Sequence, residues 1–330
     1  MPGGRAADPE PAWRPRGDRR RWERRARLIA SIREFFAARG VLEVETPVLC
    51  ARGAMDPAIR SFSTTGPDGR TRWLQSSPEY AMKRLLAAGS GPIFQISRAF
   101  RAGETGPRHN PEFALLEWYR PDFDHHRLMD EVGELIVSIL GCETPCRVSY
   151  VRAFRELAGV DVDSDSDASL RARVRVAGAS ERTAAELERD GCLDLLLTHL
   201  VEPGLATLAG VPAVFLYDYP ASQAALARVE RKEGVERAER FELYVDGVEL
   251  ANGYHELTDA VEQRARFEKE GRRRARLGLT RMEVDERLDC ALAHGLPPCS
   301  GVALGLDRLV MLALGVAGIE EAIAFPDTIA

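Results

Sequence analysis

The tightest constraint on this chain lies in residues 92–120, PIFQISRAFRAGETGPRHNPEFALLEWYR, where two alternating runs flank a polar loop. Successive side chains of a strand point to opposite faces. The first run therefore sends Phe94, Ile96 and Phe100 one way, with Arg98 among them, and Gln95, Ser97, Ala99 and Arg101 the other. The second run puts Phe113, Leu115, Glu117 and Tyr119 on one face and Ala114, Leu116 and Trp118 on the other. Between the runs, Gly103, Gly106, Pro107 and Pro111 mark a turn-rich loop that also carries Glu104, Arg108, His109 and Asn110. Glu117, placed among Phe and Leu, is costly unless something pairs with it. Such a hairpin, with an arginine and a histidine-bearing loop at its tip and an acid on its return strand, suits an anionic ligand and an amine together. An ordinary hairpin with a solvated loop carries the same pattern.

Bulk properties narrow the class. The 330 residues suffice for one large domain or two ordinary ones, and 45% hydrophobic with 29% charged residues is the profile of a soluble globular protein. A net charge of −6 argues against a general nucleic-acid-binding surface. No apolar run reads as long enough to span a membrane, so none is expected to bind one. Cys50, Cys142, Cys146, Cys192, Cys290 and Cys299 are scattered over a long chain without a signal peptide, which favours free thiols in a reducing, cytoplasmic compartment. Cys142 and Cys146 form the one close pair, and no other Cys or His completes a zinc site at the usual spacing.

Residues 1–21, rich in Pro, Gly, Arg and Asp, read as a flexible tail. Apolar positions 22, 26, 29, 32, 35 and 36 form a helical stripe that Gly40 stops. In VLEVETPVL, Leu42 and Val44 alternate with acids until Thr46-Pro47, as in an edge strand. Residues 59–74 read as a hairpin around Gly66-Pro67-Asp68-Gly69. Ser77 and Pro78 open the next helix, with Glu79 in its first turn, where simple dipole compensation would account for it. Residues 127–140 form an amphipathic helix, 161–203 alternate turns with helical stretches, and VPAVFLYDYP is a strongly apolar strand.

The second informative stretch is FELYVDGVELANGYHE, 241–256. Asp246-Gly247 is a two-residue hairpin signal. It pairs Val245 with Val248 and Tyr244 with Glu249, leaving Glu242 diagonal to Glu249 on one face. Two such carboxylates repel unless a cation sits between them, and hard oxygen ligands suit Mg²⁺, which takes phosphate oxygens for its other positions. Acids facing solvent or paired with Lys or Arg would fit equally well. Asn252, Gly253, Tyr254, His255 and Glu256 break the alternation, so Gly253 reads as a bulge or a close ligand approach. Two charged helices, 259–277 and 285–294, precede CSGVALGLDRLVMLALG, a buried strand with Gly301 and Gly305 that runs into a helix from about Leu306. Its glycines would let a flat ligand lie on the backbone, and Arg308 at the helix start can point at phosphate; close helix–sheet packing and a surface salt bridge are the plainer account.

No GxxxxGK[ST] and no GxGxxG opening a βαβ unit is present. The chain nonetheless offers two separated arginines, an acid pair and several further acids, the inventory of an ATP-using ligase on an antiparallel sheet. ETPVL, FRAGE with RHNPEF, and GVALGLDRL resemble the three signature motifs of class II aminoacyl-tRNA synthetases. SPEYAMKRL, RHNPEFALLEWY and ELANGYHELTDA resemble the lysyl type in particular, and the resemblance covers about residue 22 to the end. It implies an α+β class II synthetase catalytic fold over 22–330, an antiparallel β-sheet flanked by helices, with a mainly helical insertion at about 161–203.

The lysyl type usually carries an N-terminal anticodon-binding domain, for which the short tail leaves no room, and a glycine where this chain has Ala303. A methyl there would shrink the amino-acid pocket. Both departures resemble the truncated lysyl-synthetase paralogues that join (R)-β-lysine to elongation factor P, with no tRNA. That resemblance implies ATP and Mg²⁺ as cofactors and a homodimer built through the first motif. By the same resemblance, Arg101 holds the α-phosphate and the substrate carboxylate, and Arg308 the γ-phosphate with help from His109. Phe113 stacks on adenine, and backbone near Asn110 and Leu250 reads its edge; Ala102 and Gly305 also border the nucleotide. The motif's usual acid falls at Gly103, so its contact passes to Glu104 or to backbone. Glu242 and Glu249 bind Mg²⁺. Glu79, Glu256 and Tyr119 anchor the side-chain amine, and Glu117 takes the second amine or orients its neighbours; Ser77, Pro78, Asn252, Tyr254 and Ala303 complete that pocket. A ligase charging tRNA or another acceptor, or an inactive regulatory subunit, are the rival readings; the intact Arg101, Arg308, Glu242 and Glu249 weigh against the latter.

Overall fold

A computed structural model describes residues 13–232 and 234–330. Helix α1 (Arg19–Ala37) starts within the expected tail, because the Asp18 side chain caps it by accepting from the Arg21 N–H. The Arg16 N–H donates to the Ala324 carbonyl at 2.8 Å, tying the chain's first described turn to its end; residues 1–12 of the expected tail lie outside the described residues.

Short strands β1 (Leu42–Glu43) and β2 (Leu49–Cys50) follow, then the hairpin β3 (Ser63–Thr65) and β4 (Thr71–Leu74), whose turn holds Gly69 at φ +73°. Helix α2 (Glu79–Ala87) leads into the hairpin β5 (Ile93–Phe100) and β6 (Glu112–Pro121), and α3 (His125–Leu140) ends at Gly141 in the left-handed region. After β7 (Cys146–Ser149) comes a helical segment, α4 (Tyr150–Ala153), α5 (Asp167–Val176), α6 (Glu181–Glu186), α7 (Arg189–Leu196) and α8 (Glu202–Ala209). Strands β8 (Ala213–Pro220), β9 (Val229–Lys232), β10 (Val235–Val245) and β11 (Val248–His255) precede α9 (Ala260–Arg276) and α10 (Glu286–Gly295). Strand β12 (Cys299–Gly305) passes directly into α11 (Leu306–Leu314).

The main sheet runs β1-β5-β6-β12-β11-β10-β8-β7, with β9 beside β10; β2-β4-β3 form a small second sheet. The sheet is antiparallel from β5 to β8, as expected. At its two ends β1 joins β5 and β7 joins β8 in parallel, so the sheet is mixed rather than wholly antiparallel.

The alternation read from 92–120 sorts the two faces. Phe94, Leu116 and Trp118 pack with Phe36 of α1, Leu128 and Val132 of α3 and Leu309 of α11 in one core. The opposite face carries Glu117 and Tyr119 toward a cleft bordered by Glu79 of α2, by Asp56, Ala58 and Ile59, and by the loop after β5. Residues 189–209 form one helical run that is long and apolar enough to cross a membrane by length and composition, contrary to the reading of the sequence. Its Cys192, Leu193, Leu196, Val201 and Leu205 are buried in a core shared with Val148 of β7, Leu216 of β8 and Tyr244 of β10, the ordinary use of such a run in a globular fold.

Candidate active site

One irregularity sets the site. The Asp246-Gly247 turn, with φ of +50° and +69°, pairs Val245 with Val248 and Tyr244 with Glu249 as expected. Beyond it the register shifts by one, so Leu243 faces Ala251 and Glu242 faces Asn252. A one-residue slip exchanges the faces of a strand. Leu250 and Ala251 both turn into the core, and Asn252, Tyr254 and Glu256 turn to the cleft. The bulge therefore sits at Leu250 and not at Gly253, where a Cβ would instead come within 2.4 Å of the Phe241 ring. Across the sheet Glu117, Ala303, Asn252 and Glu242 form one row, and Tyr119, Gly301, Tyr254 and Arg240 the next.

These rows, Glu242 apart, floor a cavity of about 420 Å³ whose lining takes in Ser77, Glu79, Arg101, Glu104, His109, Asn110, Phe113, Glu117, Tyr119, Glu249, Leu250, Asn252, Tyr254, Glu256, Ala303, Gly305 and Arg308. Most of the expected site residues thus share one space. Pro78 lies just outside it, where its carbonyl accepts from the Met82 N–H, and Glu79 N–H donates to Ser77 Oγ at 3.0 Å, so the helix begins one residue later than expected.

One end is cationic. Arg101, 5.1 Å from the Phe113 ring centroid, is 3.6 Å from Glu104, and its buried Nε has no acceptor among the described residues. The loop after it turns at Gly103, φ +83°, and is tied to the segment before β3 by Ala102 N–H donating to Arg60 O. Arg308 is held by three acceptors: Glu249 O at 2.7 Å, His109 Nε2 at 2.7 Å and Arg108 O at 3.2 Å. Burial, then Arg308, lowers the His109 pKa, leaving a neutral ring that accepts from the guanidinium. Asp307 does not pair with Arg308. It is buried, accepts from Ala114 N–H at 2.7 Å and meets Arg25 of α1 at 2.6 Å, so it is no surface salt bridge. Asn110 likewise serves the fold, its Oδ1 accepting from the Asp327 N–H. Gly305 has room for a Cβ, with Arg308 Cδ the nearest atom at 3.5 Å, so no close packing within the protein demands glycine there.

The expected metal pair differs from the sequence reading in a specific way. Glu242 Oε2 accepts from Tyr219 and Tyr244 hydroxyls at 2.6 Å each, and Oε1 meets Arg240 Nη2 at 2.5 Å. The cation beside this carboxylate is Arg240. Glu249 opens to the cavity, 3.5 Å from Arg308 Nη1; burial and then the Glu242 charge push its carboxyl up to about 6. Among the described residues no group of three or more His, Cys, Asp or Glu side chains is arranged to hold a metal. The donor set suits an ion that brings most of its own ligands: Mg²⁺ takes one or two carboxylates and fills the rest from phosphate and water.

The other end is acidic and more tightly built. Glu117, 2% exposed, accepts from Ser77 Oγ and Tyr119 OH at 2.7 Å each. Burial, then Glu79, pushes it up to about 8. Glu79 and Glu256 line the cavity with one oxygen each already paired. Lys83 Nζ lies 2.7 Å from Glu79 Oε1 and 2.5 Å from Glu256 Oε2, so Glu79, in the first turn of its helix as read, also carries a buried ion pair. Burial raises Glu256 and Lys83 pulls it back; burial would strip the Lys83 proton, but Glu256 and Glu79 outweigh it and hold the ammonium above its ordinary range. At Gly301 a Cβ would sit 2.3 Å from Tyr119 and 2.6 Å from Glu256 Oε1, so only glycine leaves both in place. Sequence reasoning missed Lys83 and Arg240. The signals available were an i,i+4 spacing from Glu79 and an i,i+2 spacing from Glu242, both of which look solvent-facing without the tertiary fold.

Residues 13–329 match the family of class II tRNA synthetases (D, K and N). A protein of Pectobacterium atrosepticum named elongation factor P–(R)-β-lysine ligase is 48% identical over 319 residues, covering 95% of this chain and 97% of that protein. Proteins of the same name from Yersinia enterocolitica and Photorhabdus laumondii are each 49% identical over 96% of this chain, and the match covers 97% and 98% of them.

Proposed function

This chain belongs to the class II tRNA synthetase family of the D, K and N type, and on that premise we propose that it is an ATP-dependent ligase that activates (R)-β-lysine and transfers it to the ε-amine of a lysine on elongation factor P. The observation that carries this reading is a single cavity with an unmet arginine donor at one end and a carboxylate cluster at the other. A substrate that spans it must be anionic at one end and cationic at the other, as an amino acid lying against a nucleotide is.

In the first step an oxygen of the amino-acid carboxylate attacks the α-phosphorus of ATP. The new P–O bond forms as the bond to the bridging oxygen breaks, and pyrophosphate leaves with that electron pair. Arg101 sits where its spare donors meet the α-phosphate and the attacking carboxylate. Arg308, held in place by three acceptors before any ligand arrives, meets the γ-phosphate, and neutral His109 fixes its plane. Charge grows on phosphate oxygens in the transition state, so donors already aimed there lower the barrier without reorganising. Phe113 stacks on adenine, with Ala102, Gly103, Glu104, Gly305 and the backbone at Asn110 and Leu250 around it. Glu249, with Glu242 behind it, would hold a Mg²⁺, which supplies neutralisation of phosphate charge. In the second step the acceptor amine attacks the carbonyl carbon of the mixed anhydride, AMP departs with the bonding pair, and the amine gives up its proton to water. Positioning and electrostatics suffice, with no covalent enzyme intermediate.

At the other end Glu79, Glu117 and Glu256, with Ser77, Tyr119, Asn252 and Tyr254, take the substrate's two ammonium groups over the Ala303 methyl, and Pro78 shapes the turn that presents Ser77 and Glu79. The protein works in the cytoplasm as a homodimer and does not charge tRNA. The exposed Leu42, Val48, Leu49 and Phe62 around the first motif support a dimer face there. The test is amino-acid-dependent ATP–pyrophosphate exchange with (R)-β-lysine, L-α-lysine and no amino acid, followed by mass spectrometry of elongation factor P. Exchange with β-lysine and a lysyl mass added to the factor is the expected result. Exchange with α-lysine alone would favour a tRNA or other acceptor, and none with either would leave a binding subunit.

A further inference from the structure

Lys83 stands in a place where a substrate pocket has no obvious use for a lysine. Its side chain is 2% exposed on α2, and it is flanked in the same core by Met82, Leu86 and Tyr119. Both of its polar contacts are carboxylates expected to hold the substrate. A purely structural ion triad would spend those carboxylates on each other's cation. Here each acid engages Lys83 through one oxygen and keeps the other: Glu79 accepts from Lys83 through Oε1 only, and Glu256 turns Oε1 toward the cavity floor at Gly301. The titratable groups facing this triad are Tyr80 on its own helix, Glu117 and Tyr119 from β6, Tyr254 and His255 from β11, and Cys299 from β12. None of them adds a second permanent positive charge.

We propose that Lys83 is a positioning residue for the amino-acid substrate, an internal ammonium that locks the inner oxygens of Glu79 and Glu256 and sets the charge the pocket offers. Once a substrate ammonium has displaced the proton of Glu117, the three carboxylates Glu79, Glu117 and Glu256 less this one ammonium leave two negative charges, the number that a substrate with two ammonium groups neutralises. Without Lys83 the two acids face each other across a buried gap, one takes a proton, and the resulting carboxyl–carboxylate bond turns both oxygens away from the cavity. A monoamine would leave a buried carboxylate without a cation, so the same device selects a diamine. The proposal rests on the reading of this end of the cavity as a site for a lysine-type amino acid.

The experiment uses the full chain carrying Lys83→Met, with exchange measured against (R)-β-lysine and against ATP from about pH 6 to about pH 9. KM for β-lysine should rise at least about tenfold, the equivalent of about 1.4 kcal/mol, while KM for ATP stays within about twofold. The acid limb of kcat/KM for β-lysine should move to higher pH, because a removable proton replaces a fixed ammonium between the acids. Lys83→Ala should recover exchange on addition of propylammonium and not of propanol. An unchanged KM for β-lysine with an unmoved acid limb would overturn the proposal, as would a soluble Lys83→Ala protein that propylammonium does not restore. Loss of the folded protein in both variants, with no return in propylammonium, would assign Lys83 a structural role and overturn it too. Failure of the unaltered protein to exchange with any lysine isomer would overturn the substrate reading instead.

Discussion

At the cationic end of the cavity Arg101 carries a buried Nε with no acceptor among the described residues, whereas at the acidic end Glu79, Glu117 and Glu256 each already have an ammonium or a hydroxyl at hydrogen-bonding or ion-pair distance. The contrast follows from the chemistry of the two charges. A guanidinium stays protonated whatever surrounds it, so it can wait, ionised, for a phosphate. A buried carboxylate without a cation takes up a proton instead, and would then no longer attract an ammonium. The protein therefore leaves the Arg101 Nε at its anion-binding end without an acceptor among the described residues and fills part of its cation-binding end with its own lysine. Glu242 repeats the pattern beside the phosphate end, where Arg240 and two tyrosines hold it.

If the two ends differ in this way, removing a group from each should cost different things. Arg101→Ala takes away a donor with a small structural role: among the described residues its side chain makes a loose 3.6 Å ion pair with Glu104 and lies 5.1 Å from the Phe113 ring centroid. Exchange should fall by about 10²–10³, the usual cost of one donor aimed at developing charge, with Tm unchanged within the small range typical of surface substitutions. Kinetics and thermal melts on the same sample check both halves. A large drop in Tm with activity retained would break the comparison, because Arg101 would then be serving the fold.

At the acidic end the expected signature is a pH dependence. The Glu117 carboxyl lies at about 8, raised by burial and then by Glu79. Free protein at neutral pH thus holds a proton there that a bound ammonium displaces. Affinity for β-lysine should climb on the order of tenfold from about pH 6 to about pH 8, and Glu117→Gln should flatten that climb. The stability sign is the reverse. A carboxyl whose folded pKa is raised stabilises the fold below its ordinary range and loses that contribution as pH rises through about 8. Over this window the melting temperature of the unaltered protein should therefore fall relative to Glu117→Gln. Parallel melting curves at both pH extremes would show the idea wrong.

What could be read in the sequence divides along the same line. The hairpin of β5 and β6, the faces of its residues and the Asp246-Gly247 register are local consequences of period-two patterning and turn chemistry, and the structure has them as read. The bulge at Leu250 was not legible, because a run of Glu, Leu, Ala and Asn offers no residue that requires one. Its position matters, since it brings Asn252, Tyr254 and Glu256 to the cavity. Lys83 and Arg240 were hidden for a related reason. A basic residue near an acid on the same strand or helix looks like solvent-facing decoration until the fold buries it. The parallel pairings at the sheet ends depend on long connections that no local pattern specifies.

The smallest expected effect sharpens the comparison most, because it concerns neither charge. Gly301, Ala303 and Gly305 face the cavity in turn along β12, and Ala303 lies across from Glu117 on one side and Asn252 on the other. Its methyl is the one side chain among those three, set where the substrate's backbone would cross from the phosphate end to the acidic end. Moving an amino group from the α- to the β-carbon shifts it along that crossing, so space there discriminates the isomers while the charged groups at either end treat them alike. Ala303→Gly should raise exchange with L-α-lysine relative to (R)-β-lysine by about fourfold, near the worth of one buried methylene, and leave the pH dependence assigned to Glu117 in place. It should also cost about 0.5–1 kcal/mol of stability from added backbone freedom in a strand, which a melt separates from the kinetic change. An unchanged isomer ratio would mean that the acidic cluster alone selects the substrate, and the crossing between the two ends would carry no specificity.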